Sequence, residues 1–248
     1  MGNIFTFREI SEKDELEKFF QLRFQVCSDS QLAPFLSKND HQVDIDIYDL
    51  HARLFGLFCD NNLVGGIRLV LDKKELYIPE VYEIGHKYGI FGADVDSKEK
   101  LEKTDYPEFP FLSYQRVPKQ MISFYQKNKN NKKICAASRC VITNSHRGLK
   151  TIQFLTESII TVGNLYCGKK TGLGFADVNL SHSKFYCRYG FAPIENEPVY
   201  FVHEVPAVTL TISLSTSLTS SSIPQHLHSK LEEMIHEYSS TNRISRTL

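Results

Sequence analysis

The residues that could do chemistry gather around one stretch, ICAASRCVITNSHRGLKTI at positions 134–152. Residues 134–143 have the length and apolar content of a buried strand, with a single charge, Arg139, inside it. Asn144 and Ser145 then offer N-cap chemistry for a helix whose apolar face runs through Ile152, Phe154, Leu155, Ile159, Ile160 and Val162. A strand that turns straight into a helix leaves the first helical N–H groups free, which makes an anion site around Arg147 and Gly148. Two further arginines, Arg23 and Arg68, stand like Arg139 in apolar surroundings. The turn DIDIYD at positions 44–49 places Asp46 and Asp49 three residues apart, so both carboxylates can point to one side. Such arginines and aspartates form either a structural ion-pair cluster or a charge network that binds a substrate.

Composition narrows the classes. At 248 residues, 42% of them hydrophobic and 23% charged, the chain can fill the core of one large domain. Its formal net charge of zero gives no general pull toward nucleic acid or a membrane surface. Arg8, Glu9, Glu12, Lys13 and Asp14 precede any long apolar run, a pattern unlike a signal peptide, and no apolar segment reaches spanning length. Six cysteines without a CxxC pair fit reduced thiols in a cytoplasmic protein. Zinc ligation by Cys135, Cys140 and His146 would need a spacing unlike the common fingers, so no metal is expected.

Around the central stretch the pattern predicts an ordered series of elements. A first strand at 4–8 leads to a helix opened by Ser11 and Asp14 and running toward Val26. Residues 28–42 read as a loop over a cleft. Residues 52–59 and 63–71 form a hairpin about Asp60-Asn61-Asn62, and Pro79 starts a helix to about residue 88. Residues 89–110 read as an insertion with little regular structure, and 117–126 as a helix. After the central helix come a strand at 173–178, a short helix at 181–189 ended by Gly190, and short strands at 191–194 and 199–205. The alternation at 207–218 fits a strand better than a linker, and Ser222 and Pro224 open a last amphipathic helix. The order implies an α/β domain with a mixed central sheet and helices on both faces. Residues 1–206 would form it, with 207–248 packed on it.

Four segments stand in a telling order: LRFQV (22–26), DIDIYD (44–49), GGIRLV (65–70) and AASRCVI (136–142). The series resembles the acyl-homoserine-lactone synthases and the related N-acyl amino acid synthases, autoinducer-synthase-like enzymes of the GNAT fold. KFYCRYGFAPI (184–194) resembles a further element of GNAT folds. Three positions depart from the pattern: Ala136 stands where a glutamate is expected, Asp44 replaces another, and the chain has no Trp. The resemblance therefore implies a relative that acylates an amine other than the lactone precursor.

The resemblance also implies a layout for the chemistry. The pantetheine arm of the donor would lie along the central strand, with backbone N–H groups at Cys140, Val141 and Ile142 facing the thioester oxygen. Arg23, Arg68 and Arg139 would meet Asp46 and Asp49 at the acceptor end. Tyr186 would protonate the leaving thiol, while Asp46, Glu80 and Glu83 are the candidate bases. Arg147 and Gly148 would hold the donor phosphate. Lys150 and Ile152 replace two glycines of the CoA-dependent relatives, which favours acyl carrier protein over acyl-CoA as donor. Lys127, Lys129, Lys132, Lys133, Arg147, Lys150, Lys169 and Lys170 would form one basic face for that acidic carrier. The expectation is an N-acyltransferase moving a medium- or long-chain fatty acyl group to an amine. A CoA-dependent N-acetyltransferase and a non-catalytic acyl-binding protein are the alternatives.

Overall fold

A computed structural model describes residues 2–28, 33, 36, 40–113, 117–168, 171–195, 199–202 and 204–248. Its strands are β1 (Ile4–Glu9), β2 (Ala52–Cys59), β3 (Asn62–Val70), β4 (Lys133–Ile142), β5 (Gly172–Asn179), β6 (Ala192–Pro193), β7 (Tyr200–Val202), β8 (Val205–Leu214) and β9 (Arg243–Thr247). They form one mixed sheet in the order β6-β8-β5-β4-β3-β2-β1-β9, with β7 paired to β8. The helices are α1 (Lys13–Ser28), α2 (Pro79–Lys87), α3 (Lys98–Lys103), α4 (Lys119–Asn128), α5 (Leu149–Cys167), α6 (Ser183–Cys187) and α7 (His228–Thr241).

The sheet separates two cores because side chains alternate across it. On one face Phe154, Leu155 and Ile159 of α5 and Leu231, Met234 and Tyr238 of α7 pack on Phe7, Phe55 and Leu210. On the other, Leu16, Phe19 and Phe20 of α1, Val81 and Ile84 of α2 and Met121 and Tyr125 of α4 pack on Leu54, Ala136 and Phe175. The β2–β3 hairpin closes as predicted, with Asp60 and Asn61 both at positive φ (46° and 69°), the pairing that the twist of a two-residue turn demands.

Several expectations are corrected. Asn144 and Ser145 do not cap α5: they lie in a separate 3₁₀ turn, Asn144–His146, and α5 begins at Leu149 with Gly148 as an N-cap that makes no side-chain bond. The hydroxyls of Thr143 and Ser145 are instead engaged with His146 Nδ1 at 2.9 and 3.0 Å. The segment 89–110 is more regular than its charge implies. Ser97 caps α3, and Phe91, Val95, Leu101 and Phe109 are buried anchors. β9 was hidden by its sequence, RISRT, in which only Ile244 is buried; Asn242 at φ 55° turns the chain so that β9 pairs with β1. The predicted loop at 28–42 falls largely outside the described residues. No helix among those described is long and apolar enough to cross a membrane.

Candidate active site

The sheet forks at its centre. β4 and β5 pair in parallel from Lys133↔Gly172 to Ala137↔Ala176. Beyond that rung β5 continues on β8 as far as Asn179↔Ala207, while β4 continues on β3 as far as Ile142↔Gly65. Residues 138–142 thus have a partner strand on one side. β4 is also bulged here: its register on β3 shifts between Val141↔Gly66 and Ser138↔Arg68, and Arg139 takes φ 53°. A bulge re-aims side chains and ends regular pairing, which is how Arg139 leaves the strand's alternation. Gly65 and Gly66 permit the close approach, since a Cβ on them would sit 2.6 Å from Val141 O and 2.3 Å from Phe55 O.

At the fork the three predicted arginines meet three aspartates. Arg23 donates from Nε to Asp44 Oδ2 at 3.0 Å and from its terminal nitrogens to Asp49 at 2.7 and 3.3 Å. Arg68 reaches Asp46 Oδ1 at 2.5 Å, Asp49 Oδ1 at 3.1 Å and, through Nε, Ser138 Oγ at 3.0 Å. Arg139 lies 3.3 Å from Asp44 and 3.5 Å from Asp46. With three charges of each sign the cluster is neutral, which is what allows Arg23, Asp44 and Asp49 to be fully buried.

Asp46 differs from the other two. Its side chain is 24% exposed against 0% for Asp44 and Asp49, so it is the carboxylate that faces the opening. The backbone fixes it, because Asp46 Oδ1 accepts from Tyr48 N–H and Asp49 Oδ2 accepts from Asp46 N–H, both at 2.9 Å. Desolvation pushes its carboxyl up, but Arg68, Arg139 and Arg23 outweigh that and hold it well below the usual carboxylate range. It stays ionised at any ordinary pH. That suits it to grip a cation and makes it a weak proton acceptor.

Beside Asp46 lies an aromatic wall. Tyr48, Tyr106 and His51 have ring centroids 5.7 to 6.0 Å apart. His51 is fully buried and donates from Nδ1 to Leu71 O at 2.6 Å, leaving Nε2 as a buried acceptor without a hydrogen-bond partner. Burial pulls its pKa down to about 4.

Other predicted residues fall in different places. Tyr186 on α6 is half-buried against Phe185 and Phe191. Burial raises its hydroxyl, and the Cys140 thiol across the fork adds to the effect, so Tyr186 remains a neutral donor. Cys140 is exposed, whereas Val141 and Ile142 are buried. Arg147 is exposed and donates to Ile142 O at 3.2 Å; open space surrounds the position a Cβ on Gly148 would take. Glu80 and Glu83 do not join the cluster: both lie on the exposed side of α2, and Glu83 is tied to Lys13 at 2.6 Å.

The single basic face is corrected too. Lys127, Lys129, Lys132 and Lys133 precede or start β4, and Arg147 and Lys150 follow its end. A ten-residue strand at about 3.3 Å per residue puts the two groups roughly 30 Å apart. Lys133 is moreover paired with Glu75 at 2.7 Å, and Lys169 and Lys170 lie outside the described residues. Sequence reasoning missed Asp44 and Ser138 as members of the cluster. Asp44 alternates with Asp46 in the same turn, a signal that was available. A cavity of about 200 Å³ between α5 and α6, lined by Gln153, Glu157, Phe185 and Arg188, includes none of Arg23, Arg68 and Arg139 in its lining.

Solved acyltransferases share this architecture. The chain is similar to FeeM, an N-acyl amino acid synthase from uncultured soil microbes, with TM-score 0.52 and 14% identity over 84% of this chain and 90% of that one. It is similar to BjaI, a CoA-dependent acyl-homoserine lactone synthase, with TM-score 0.55 and 14% identity over 94% and 90% of the two chains. For the AHL synthase LasI the TM-score is 0.51, with 16% identity over 87% and 92%. The fold is the GNAT acyltransferase fold. No protein-family model and no curated protein matches the sequence. In this structure the end of the β4–β5 pairing, the bulge of β4 and the arginine–aspartate cluster adjoin one another, with Arg68 bonded to Ser138 just past the last rung.

Proposed function

We propose that the chain is an N-acyltransferase that moves a medium- or long-chain fatty acyl group from an acyl-carrier-protein thioester to the amine of an amino acid or similar small acceptor. The observation that carries this is the fork: a parallel pair that stops at Ala137↔Ala176 beside an ionised, partly open carboxylate, on a fold shared with acyltransferases. A pantetheine arm has amide groups that can pair with the edge of 138–142 as a short added strand would. Backbone N–H groups near Cys140 to Ile142 would then polarise the thioester carbonyl. Asp46 would hold the acceptor's ammonium group, with Arg68 and Arg139 fixing its carboxylate. The neutral Tyr186 hydroxyl would supply a proton to the departing thiolate.

The carrier is favoured over CoA by what surrounds the phosphate position. Leu149 is 64% exposed between the exposed Arg147 and Lys150. An exposed leucine rimmed by cations fits a protein partner with acidic residues better than a nucleotide. The test supplies decanoyl carrier protein or decanoyl-CoA with a mixture of the standard amino acids, and reads amide by mass spectrometry. Faster amide formation from the carrier thioester is expected. Equal or faster formation from CoA would overturn the donor, and thioester binding without any amide would overturn the enzyme.

A further inference from the structure

α6 is short and stops where Gly190, at φ 91°, turns the chain against Ser222. A Cβ on Gly190 would sit 2.2 Å from Ser222 O, and Ser222 Oγ donates to Gly190 O at 2.9 Å. That contact ties the end of α6 to the segment that leads through the 3₁₀ turn Gln225–Leu227 into α7. Between this turn, α6 and α5 lies the cavity of about 200 Å³. Its wall is apolar where Phe185, Tyr189 and Leu227 meet it, with the two rings 5.4 Å apart. A cavity of roughly 150 Å³ holds benzene, so this one has room for a ring or a chain of roughly eight carbons. The charged groups around it are unequal. Glu157 is buried, and Lys230 Nζ holds both its oxygens, at 2.7 and 2.6 Å, so its charge is already answered. Arg188 is exposed, and its guanidinium has no hydrogen bond or ion pair among the described residues. The exposed His226 and the half-buried Gln153 add nitrogen donors to the lining. Burial pushes the Tyr189 hydroxyl up to about 12, which keeps it a neutral donor.

We propose that this cavity binds an apolar monocarboxylate, with its chain against Phe185, Tyr189 and Leu227 and its carboxylate on Arg188. An apolar wall with a few polar groups at one side is how small-ligand sites fix orientation, and a guanidinium matches a carboxylate in a two-bond fork. Two sources supply that chemistry: a free fatty acid, or an N-acyl amino acid of the kind proposed above as product. Inorganic phosphate lacks the chain, and an alkyl ammonium would meet Arg188 with like charge. The ligand would also bear on α6, where the Phe185 ring lies 5.1 Å from that of Tyr186, itself 6.0 Å from Phe191. Occupancy therefore fixes the packing around Tyr186, the proposed proton donor to the thiolate, so that accumulating product slows its own formation. The binding stands without the acyl-transfer function; only this feedback rests on it.

The experiment is calorimetric titration of the protein with octanoate, N-octanoylglycine and octylamine, for wild type, Arg188→Gln, Leu227→Trp and Arg147→Gln. One or both acids should bind the wild type and octylamine should not; the acid that binds more tightly identifies the source. Arg188→Gln should raise Kd by about 10- to 100-fold, the worth of a hydrogen bond to a charged group. Leu227→Trp adds bulk to the cavity wall and should weaken binding too, while Arg147→Gln, ahead of α5, should leave Kd unchanged. Should Leu227→Trp fail to fold, Arg188→Gln decides, because an exposed side chain without a partner can be replaced without cost to the fold. No binding of either acid, equal binding of octylamine, or a Kd moved by Arg147→Gln and not by Arg188→Gln would overturn the site. Saturating N-octanoylglycine should in addition lower kcat for amide formation in the wild type more than in Arg188→Gln, and an unchanged kcat would overturn the feedback. Absence of amide from the wild type with acid binding intact would overturn the acyltransferase function and the feedback, and leave the binding site standing.

Discussion

Arg68 makes three contacts that a single ammonium cannot reproduce: Nε to Ser138 and one terminal nitrogen shared by Asp46 and Asp49. Arg68→Lys keeps the charge and loses the fork, so activity should fall even where the protein folds. Arg68→Ala leaves buried carboxylates without a partner and should cost about 3–5 kcal/mol, read by denaturant unfolding. The aspartates should separate by role. Asp49 is fully buried between two arginines, so Asp49→Asn should depress the melting temperature more than Asp46→Asn. Asp46→Asn should instead lower kcat/KM for the acceptor by about 10- to 100-fold, the worth of a hydrogen bond to a charged group. Equal melting shifts with an unchanged acceptor dependence would contradict that division. These residues were legible beforehand because a guanidinium in an apolar stretch needs a carboxylate, and the acidic turn was at hand. Glu80 and Glu83 were misassigned because helix phase, set by the packing of α2, sends them to solvent.

At the scale of elements, the bulged β4 depends on glycines in β3. Gly66→Ala would press a methyl group against Phe55 O and Phe19, so a marked loss of stability is expected, seen as a lower urea midpoint. The turn that carries Asp46 is pinned by His51, whose ring donates to Leu71 O. The folded chain keeps His51 neutral down to about pH 4, whereas the unfolded chain protonates it near 6.5. Unfolding therefore takes up a proton in that window, and stability falls as pH falls, by at most about 1.4 kcal/mol per pH unit. His51→Asn keeps a donor near Nδ1 and removes the titration, so its stability should change less across that window. An unchanged slope would show that His51 is not the titrating group. Most strands and helices were readable from period and turn chemistry. The start of α5 was not, because Thr143 and Ser145 engage His146 rather than a helix end. β9 offers too few apolar positions to announce a strand; its pairing with β1 brings together residues from the two ends of the sequence.

Across the whole molecule, the two basic groups lie at opposite ends of β4, and only the group with Arg147, Leu149 and Lys150 adjoins the fork. Reversing Arg147 and Lys150 to Glu should slow carrier-thioester consumption through the on-rate, with the difference fading at high salt. Reversing Lys127, Lys129 and Lys132 should leave it unchanged, and the opposite outcome would move the docking surface to the far end. Charge counting in sequence could not separate the groups, since the distance between them exists only once β4 is extended. The central claim is that the fork brings a thioester and an amine together. Its most direct measurement is a single turnover of enzyme with stoichiometric decanoyl carrier protein and the standard amino acids, following free thiol and amide together by mass spectrometry. Thiol and amide should appear in equal amounts and at the same rate. Thiol released without amide, or a thioester left intact, would contradict the account.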